Sequence, residues 1–469
     1  MTGRMVTGMP SGLSIVRRVR QGDLLAEEAL VHCIARIETT DGRVNAFTDG
    51  TFDRALAEAR AVDARRARGE PLPPLAGMPY AVKNLFDIEG VTTRAGSRLR
   101  RGAPPATADA VLVQRLRAAG AVLVGALNMD EFAYGFTTEN SHDGPCRNPR
   151  DLQRIAGGSS GGCGAAVAAG HVPVTLGSDT NGSIRVPASL CGVWGLKPTF
   201  GRLPRRGSFP FVASLDHLGP FARTVEDLAA TYDALQGPDP HDPGCFAERV
   251  QPASNDLAAG VTDLRIGVLG GYFDDHAGPQ ARRAVAEAAR VLGAVPGVAW
   301  PDPHLARVAA FVTTASEGGA LHLPSLRTRL DDFEPLSVDR FVAGALQPAA
   351  WYVRAQRFRR HHRDAVNALF RDWDVLLAPA TPVPATPIGA DTFELGGQPW
   401  PARASMGLLT QPISYAGCPV VAAPLWPDGA AGLPVGVQVI AAPWREDLAL
   451  RAARVLEASG AAASPLANP

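Results

Sequence analysis

Residues 157–183 read GGSSGGCGAAVAAGHVPVTLGSDTNGS. A glycine-rich loop opens the stretch, a run of small residues suited to a short helix follows, and VPVTL then reads as a strand leading into a second glycine-bearing loop. Helix and strand in this alternation belong to an α/β protein, and small helix residues let backbones approach closely. Residues 109–128, DAVLVQRLRAAGAVLVGALN, repeat the pattern: Asp109 is placed to cap a helix, Gly120 stops it, and Ala121 to Val124 form a buried strand. Further on, LRIGVLGGYF (264–273) reads as a strand, and DVLLAPATPVPATPIG (374–389) as a strand that ends in a proline-rich loop. The expected fold class is therefore α/β, with a large mixed sheet covered by helices on both faces.

Around that core, Leu30, Ile34 and Ile37 make one helical stripe and Ala55, Leu56, Ala59 and Val62 a second, so residues 1–70 are expected to be surface helices. The chain reads as one domain over 1–469, with chemistry-bearing motifs in 71–235, a helical excursion at about 280–370, and a return to the sheet over 371–460. The loop-like stretch at 236–262 is too irregular to divide it.

The formal net charge is zero and 46% of residues are hydrophobic, so no global field favours nucleic acid or an acidic membrane surface. Six cysteines are scattered without a CxxC pair, which points to reduced thiols and the cytoplasm. VRRVR (16–20) resembles a twin-arginine signal, but acidic residues follow it where an apolar segment belongs. The longest apolar stretch, 164–177, is shorter than the roughly 20 residues that a membrane span needs. No metal is indicated, since HExxH and spaced Cys/His clusters are missing from the sequence.

The 46 basic residues comprise 44 arginines and two lysines, Lys83 in GMPYAVKN and Lys197 in GLKPTFGR. Arginine stays charged in any protein environment, whereas a lysine in an apolar pocket can lose its proton and act as a base. Lys83, among apolar neighbours, is the candidate; the alternative is a lysine whose head reaches water. Lys197, beside Pro198, is read as a structural hydrogen-bonding group.

The loop at 157–164 admits three readings. A phosphate cradle lacks the lysine and hydroxyl of GxxxxGK[ST]. A nucleophile elbow is satisfied by Gly157, Ser159 and Gly161, but none of the eight histidines downstream sits in a context that nominates it. The third reading joins both serine loops to the lysine: Ser183 follows Thr180, Asn181 and Gly182, whose backbone N–H groups are candidates for an oxyanion hole. A neutral Lys83 then serves as base, directly or through Ser159. Asp179 and Arg185 flank this loop as a candidate bracing pair, Ser160 is expected to hydrogen-bond the glycine-rich loop, and Cys163 and Cys191 read as packing residues.

GMPYAVKN, GGSSGG and GSDTNGSIRVPASLCGVWGLKPTFGR, in that order, resemble the amidase signature family of Ser-Ser-Lys hydrolases, over about residues 10–460. The resemblance implies a Ser183 nucleophile, a bridging Ser159 preceded by a cis peptide bond, Lys83 as terminal base, and an acyl-enzyme, with no cofactor. The Asn181 position, where most relatives have glycine, together with TTENSHDGPCRNP and EGGALHLPSLRTR, is similar to the 1-carboxybiuret hydrolase subgroup. That subgroup releases ammonia from a small ureido acid. Asparagine tolerates left-handed backbone, so Asn181 is expected to preserve the loop and contact substrate.

The glutaminase component of glutamyl-tRNA amidotransferase is another relative, in which an arginine holds the carboxylate of glutamine and an aspartate its amino group. Alignment with it puts Arg340 at the arginine and Gly407 at the aspartate, which suits an acid without an α-amino group. The alternatives are a general small-molecule amidase and the glutaminase component itself. Both resembling groups work with a small helical companion subunit, which implies an oligomer.

Overall fold

The computed structural model describes residues 9–469. Its centre is an eleven-stranded sheet. In chain order the strands are β1 (Phe47–Gly50), β2 (Pro79–Lys83), β3 (Val122–Leu127), β4 (Val174–Asp179), β5 (Trp194–Lys197), β6 (His217–Ala222), β7 (Ile266–Leu269), β8 (Val295–Val298), β9 (Val375–Pro379), β10 (Val420–Leu425) and β11 (Val435–Ala441). Across the sheet they run β1-β3-β2-β4-β6-β5-β10-β11-β9-β7-β8. β2 is parallel to both β3 and β4, whereas β4–β6 and β10–β11 are antiparallel, so the sheet is mixed as expected.

Alternation along β2 shows how both faces are covered. Tyr80 and Val82 enter one apolar cluster with Leu228 and Leu450, while Ala81 enters another with Leu30 and Ala165. Period-two geometry puts Lys83, the last residue of β2, on the Ala81 side. That is the face packed by α2 (Ala26–Val44) and α5 (Gly161–Ala168), and the loop carrying Ser159 opens α5.

The two N-terminal stripes lie on α2 and α3 (Phe52–Ala67), and α1 (Gly12–Gln21), which carries neither, precedes them. Between α2 and α3 lies β1, an edge strand paired antiparallel to β3, which an all-helical reading of residues 1–70 does not include. Its sequence, FTDG, has neither β-branched density nor alternation, and pairing to β3 alone defines it.

Asp109 does not cap α4 (Val111–Ala118), whose N-cap is Ala110. Its carboxylate instead takes two hydrogen bonds from Arg54, both 2.7 Å, and one from the Glu89 N–H at 2.9 Å. A bidentate charged pair outweighs one cap bond. Between β7 and β9 the chain forms α6 (Pro279–Leu292), β8, α7 (Pro303–Thr328), α8 (Val338–Ala345) and α9 (Ala349–Leu369), so this part of the chain also contributes a strand to the sheet.

Candidate active site

Lys83 is fully buried, and its Nζ lies 2.7 Å from Ser159 Oγ and 2.9 Å from Ser178 Oγ. Burial pushes its pKa down to about 8, against the pull of the Asp130, Asp216 and Asp179 carboxylates. Roughly a tenth of the amine is then neutral at pH 7. Lys197, also buried, donates to the carbonyls of Pro198 (3.1 Å) and Cys418, and touches neither serine loop's hydroxyls.

The peptide bond between Gly158 and Ser159 is cis. The Ser159 carbonyl accepts from the Asp130 N–H at 3.2 Å. Gly158 packs so tightly over Asp130 that a Cβ there would lie 2.1 Å from Oδ2. The Ser160 carbonyl accepts the Cys163 and Gly164 N–H groups of the glycine-rich loop (3.1 and 3.3 Å), while its hydroxyl donates to the Ser178 carbonyl (3.0 Å) and accepts from the Ser178 N–H (3.3 Å).

The second serine loop is braced from beneath. Asp179 takes two hydrogen bonds from Arg185 at 2.9 Å, and both side chains are fully buried. Arg185 donates onward to the Thr410 carbonyl (3.1 Å) and Gln438 Oε1 (2.7 Å). Burial alone would raise the Asp179 pKa, but the Arg185 guanidinium holds this carboxyl well below the usual range.

Asp179 Oδ1 also accepts the Gly182 N–H at 2.7 Å. Gly182 is thereby withdrawn from the expected trio of oxyanion donors, leaving Thr180 and Asn181 of the three. The positive φ of this loop, +138°, belongs to Gly182, and Asn181 is not left-handed. The tolerance of asparagine for that conformation is therefore not what its presence answers.

Ser183 is nearly buried and lines a 20 Å³ pocket with Thr180, Asn181, Phe136, Thr314 and Arg340. Ser159 and Ser183 share no hydrogen bond in this structure, whereas Lys83 and Ser159 do. Asn181 Nδ2 donates to Thr314 Oγ1 at 2.8 Å, and its buried Oδ1 has no partner among the described residues. Arg340 comes from α8, and its guanidinium lies 5.5 Å over the Tyr134 ring. Among the described residues no carboxylate forms an ion pair with it. Burial and the nearby Arg403 guanidinium lower its pKa.

Thus Lys83 meets Ser159, and Arg340 joins Asn181 and Ser183 in one pocket, from positions far apart in the chain. Sequence reasoning missed Ser178, Phe136 and Thr314. Ser178 stands inside the GSDTNGS motif, where its place one residue before Asp179 was the available signal; Phe136 and Thr314 had none. No histidine hydrogen-bonds either serine among the described residues, as their bonds go elsewhere. Burial pushes the Cys163 and Cys191 thiols up to about 12, which keeps them protonated. Among the described residues there is no cluster of three or more potential metal ligands and no helix long and apolar enough to cross a membrane.

A family model described as amidase matches residues 28–450. The chain is 67% identical over 450 residues to AtzE, the 1-carboxybiuret hydrolase subunit of Pseudomonas sp. (strain ADP), covering 96% of this chain and 98% of that protein. It is 41% identical over 465 residues to the A-type subunit of the glutamyl-tRNA(Gln) amidotransferase of Moorella thermoacetica (strain ATCC 39073 / JCM 9320), covering 93% and 94% of the two chains. A solved structure described as a vestigial protein complex revealing the origins of an s-triazine catabolic enzyme superimposes with TM-score 0.96 at 66% identity, over 97% of this chain and all of that one.

Proposed function

The chain belongs to the amidase family of hydrolases acting on amide bonds, and on that premise we propose that it cleaves a C–N bond of a small ureido acid of the 1-carboxybiuret type, releasing ammonia. The observation that carries the mechanism is the buried, pKa-lowered Lys83 at 2.7 Å from Ser159. Neutral Lys83 accepts a proton from Ser159 while Ser159 takes one from Ser183, whose oxygen attacks the carbonyl carbon. The N–H groups of Thr180 and Asn181 receive the oxyanion. The relay returns the proton to nitrogen as the C–N bond breaks, ammonia leaves, and water releases the acid from the acyl-enzyme through the reverse relay.

Arg340 supplies the anchor for the substrate carboxylate, since its guanidinium shares the Ser183 pocket and has no protein carboxylate of its own among the described residues. The unpartnered Asn181 Oδ1 suits a ureido N–H donor. The similarity to one component of a hydrolase and to a chain from a protein complex supports a companion subunit for this chain. The six free cysteines support a reducing, cytoplasmic location.

The test is ammonia release from 1-carboxybiuret, biuret, glutamine and simple aliphatic and aryl amides, with Ser183→Ala as the blank. Release confined to ureido acids and lost in the blank is the expected result. Release from simple amides at equal rates would make the protein a general amidase, and release from glutamine alone would make it a glutaminase.

A further inference from the structure

We infer that Ser178 is a positioning residue for Lys83, turning the neutral amine so that its lone pair faces Ser159. The inference rests on Lys83 acting as the base of the reaction proposed above. A neutral amine carries two N–H donors and one lone pair, on a rotor free to turn unless a neighbour holds it. Only one rotor orientation leaves the lone pair along the line to Ser159 Oγ. Ser178 Oγ, 2.9 Å from Nζ, takes one N–H in that orientation, while Ser159 Oγ stands at 2.7 Å in front of the lone pair.

The hydroxyl of Ser178 is itself held on a rigid platform. Ser178 belongs to β4, next to the β2 strand that carries Lys83, and its backbone pairs with Leu218 of β6 on the other side. The Ser160 hydroxyl grips the Ser178 carbonyl at 3.0 Å and N–H at 3.3 Å. The two consecutive serines thus have separate tasks: Ser159 carries the proton, and Ser160 locks the strand that aims the base.

Ser178 must also send its own proton away from Lys83 if its lone pair is to accept the N–H. A second cavity of 220 Å³ supplies that direction. Ser178 forms part of its wall with Ser208, Asp216, Phe209 and Leu218, and Ser183 does not line it. Asp216 and Ser208 also line this cavity, which is roomy enough for water, and a water there would accept the Ser178 O–H.

Ser178→Ala and Ser178→Thr test this, read by the rate at which a fluorophosphonate labels Ser183 between pH 6 and 10 and by kcat and KM for the substrate that releases ammonia. For Ser178→Ala we expect labelling and kcat to fall about tenfold to a hundredfold with KM nearly unchanged, the range for small losses of alignment. The acid limb should also move to lower pH, because the lost acceptor favours the ammonium over the amine. Ser178→Thr, which keeps the hydroxyl, should recover most of the rate. Wild-type labelling and pH profile in Ser178→Ala would overturn the inference, as would equal losses in both variants, which would assign the effect to packing. If Lys83→Met labels at the wild-type rate, the Lys83 base reading fails as well; if it is inert while Ser178→Ala is normal, only the positioning role falls.

Discussion

Phe136 lays its ring against Gly407, so closely that a Cβ on Gly407 would lie 2.2 Å from Phe136 Cζ. Phe136 lines the Ser183 pocket, and its ring fills the space that a side chain at 407 would enter. Any side chain at 407 would require this ring to move. This fits a substrate that offers a carboxylate and no ammonium.

Gly407→Ala is expected to destabilise the protein by about 1–3 kcal/mol, the usual cost of overpacking a filled site. Adding Phe136→Ala should return part of that loss, because the two residues are in contact and their effects couple. Urea unfolding of the two single variants and the double variant measures the coupling. Additive losses would mean that the clash is not the cause.

Turnover should rise with pH through an acid limb near 8, the value to which burial lowers the Lys83 ammonium. Lys83→Arg keeps the charge and cannot supply a neutral base, so kcat should drop by about 100-fold or more. A pH–rate profile flat from 6 to 9 in the wild type would remove Lys83 from the rate-limiting proton transfer.

Lys83→Met should be inactive yet more stable at neutral pH. Lys83 titrates at about 8 in the folded chain against 10.5 as its ordinary value. Below pH 8 both states hold the proton and the folded state bears the full cost of a buried charge. Between 8 and 10.5 the unfolded chain binds the proton and the folded chain does not, so wild-type stability climbs with pH. The gain in Lys83→Met is therefore on the order of 3 kcal/mol at pH 7 and disappears by about pH 11. Melting temperatures of both proteins across that range check the sign.

Asp179→Asn leaves the fully buried Arg185 without its counter-charge and weakens the cap on the Gly182 N–H. A loss of about 3–5 kcal/mol is expected at pH 7. Because the folded Asp179 carboxyl titrates well below the usual range, its contribution is complete above about pH 4 and fades as the pH falls below that. The difference between variant and wild type should accordingly narrow in acid, as chemical denaturation at pH 7 and pH 3 will show.

The parts of the site legible in the sequence are those whose signal is local. Lys83 stands out because arginine fills nearly every other cationic position, and the two serine loops announce themselves by glycine spacing. The bracing of Asp179 by Arg185 follows from a separation of six residues in one loop. By contrast, Asp109 pairs with Arg54 across 55 positions, so a local capping rule assigned it to the wrong partner. The contact of Asn181 with Thr314 spans 133 positions, and α7 brings it from a distant part of the chain. Phe136 against Gly407 is still more remote, and its signal is the absence of a side chain, which a single sequence does not mark.

Arg340 is the remaining test of substrate class. Its guanidinium sits over the Tyr134 ring and borders the same pocket as Ser183, with no ion-pair partner among the described residues. A desolvated guanidinium facing a substrate carboxylate is worth about 1.5–3 kcal/mol in charged hydrogen bonds. Arg340→Gln should therefore raise KM for 1-carboxybiuret by roughly ten- to a hundredfold. On the proposed reading the arginine holds the carboxylate and not the reacting carbonyl, so kcat at saturation should change little, and hydrolysis of neutral biuret should be unaffected. Equal losses on charged and neutral substrates would instead mean that Arg340 supports the shape of α8, and the carboxylate would then have to find its anchor elsewhere in the pocket.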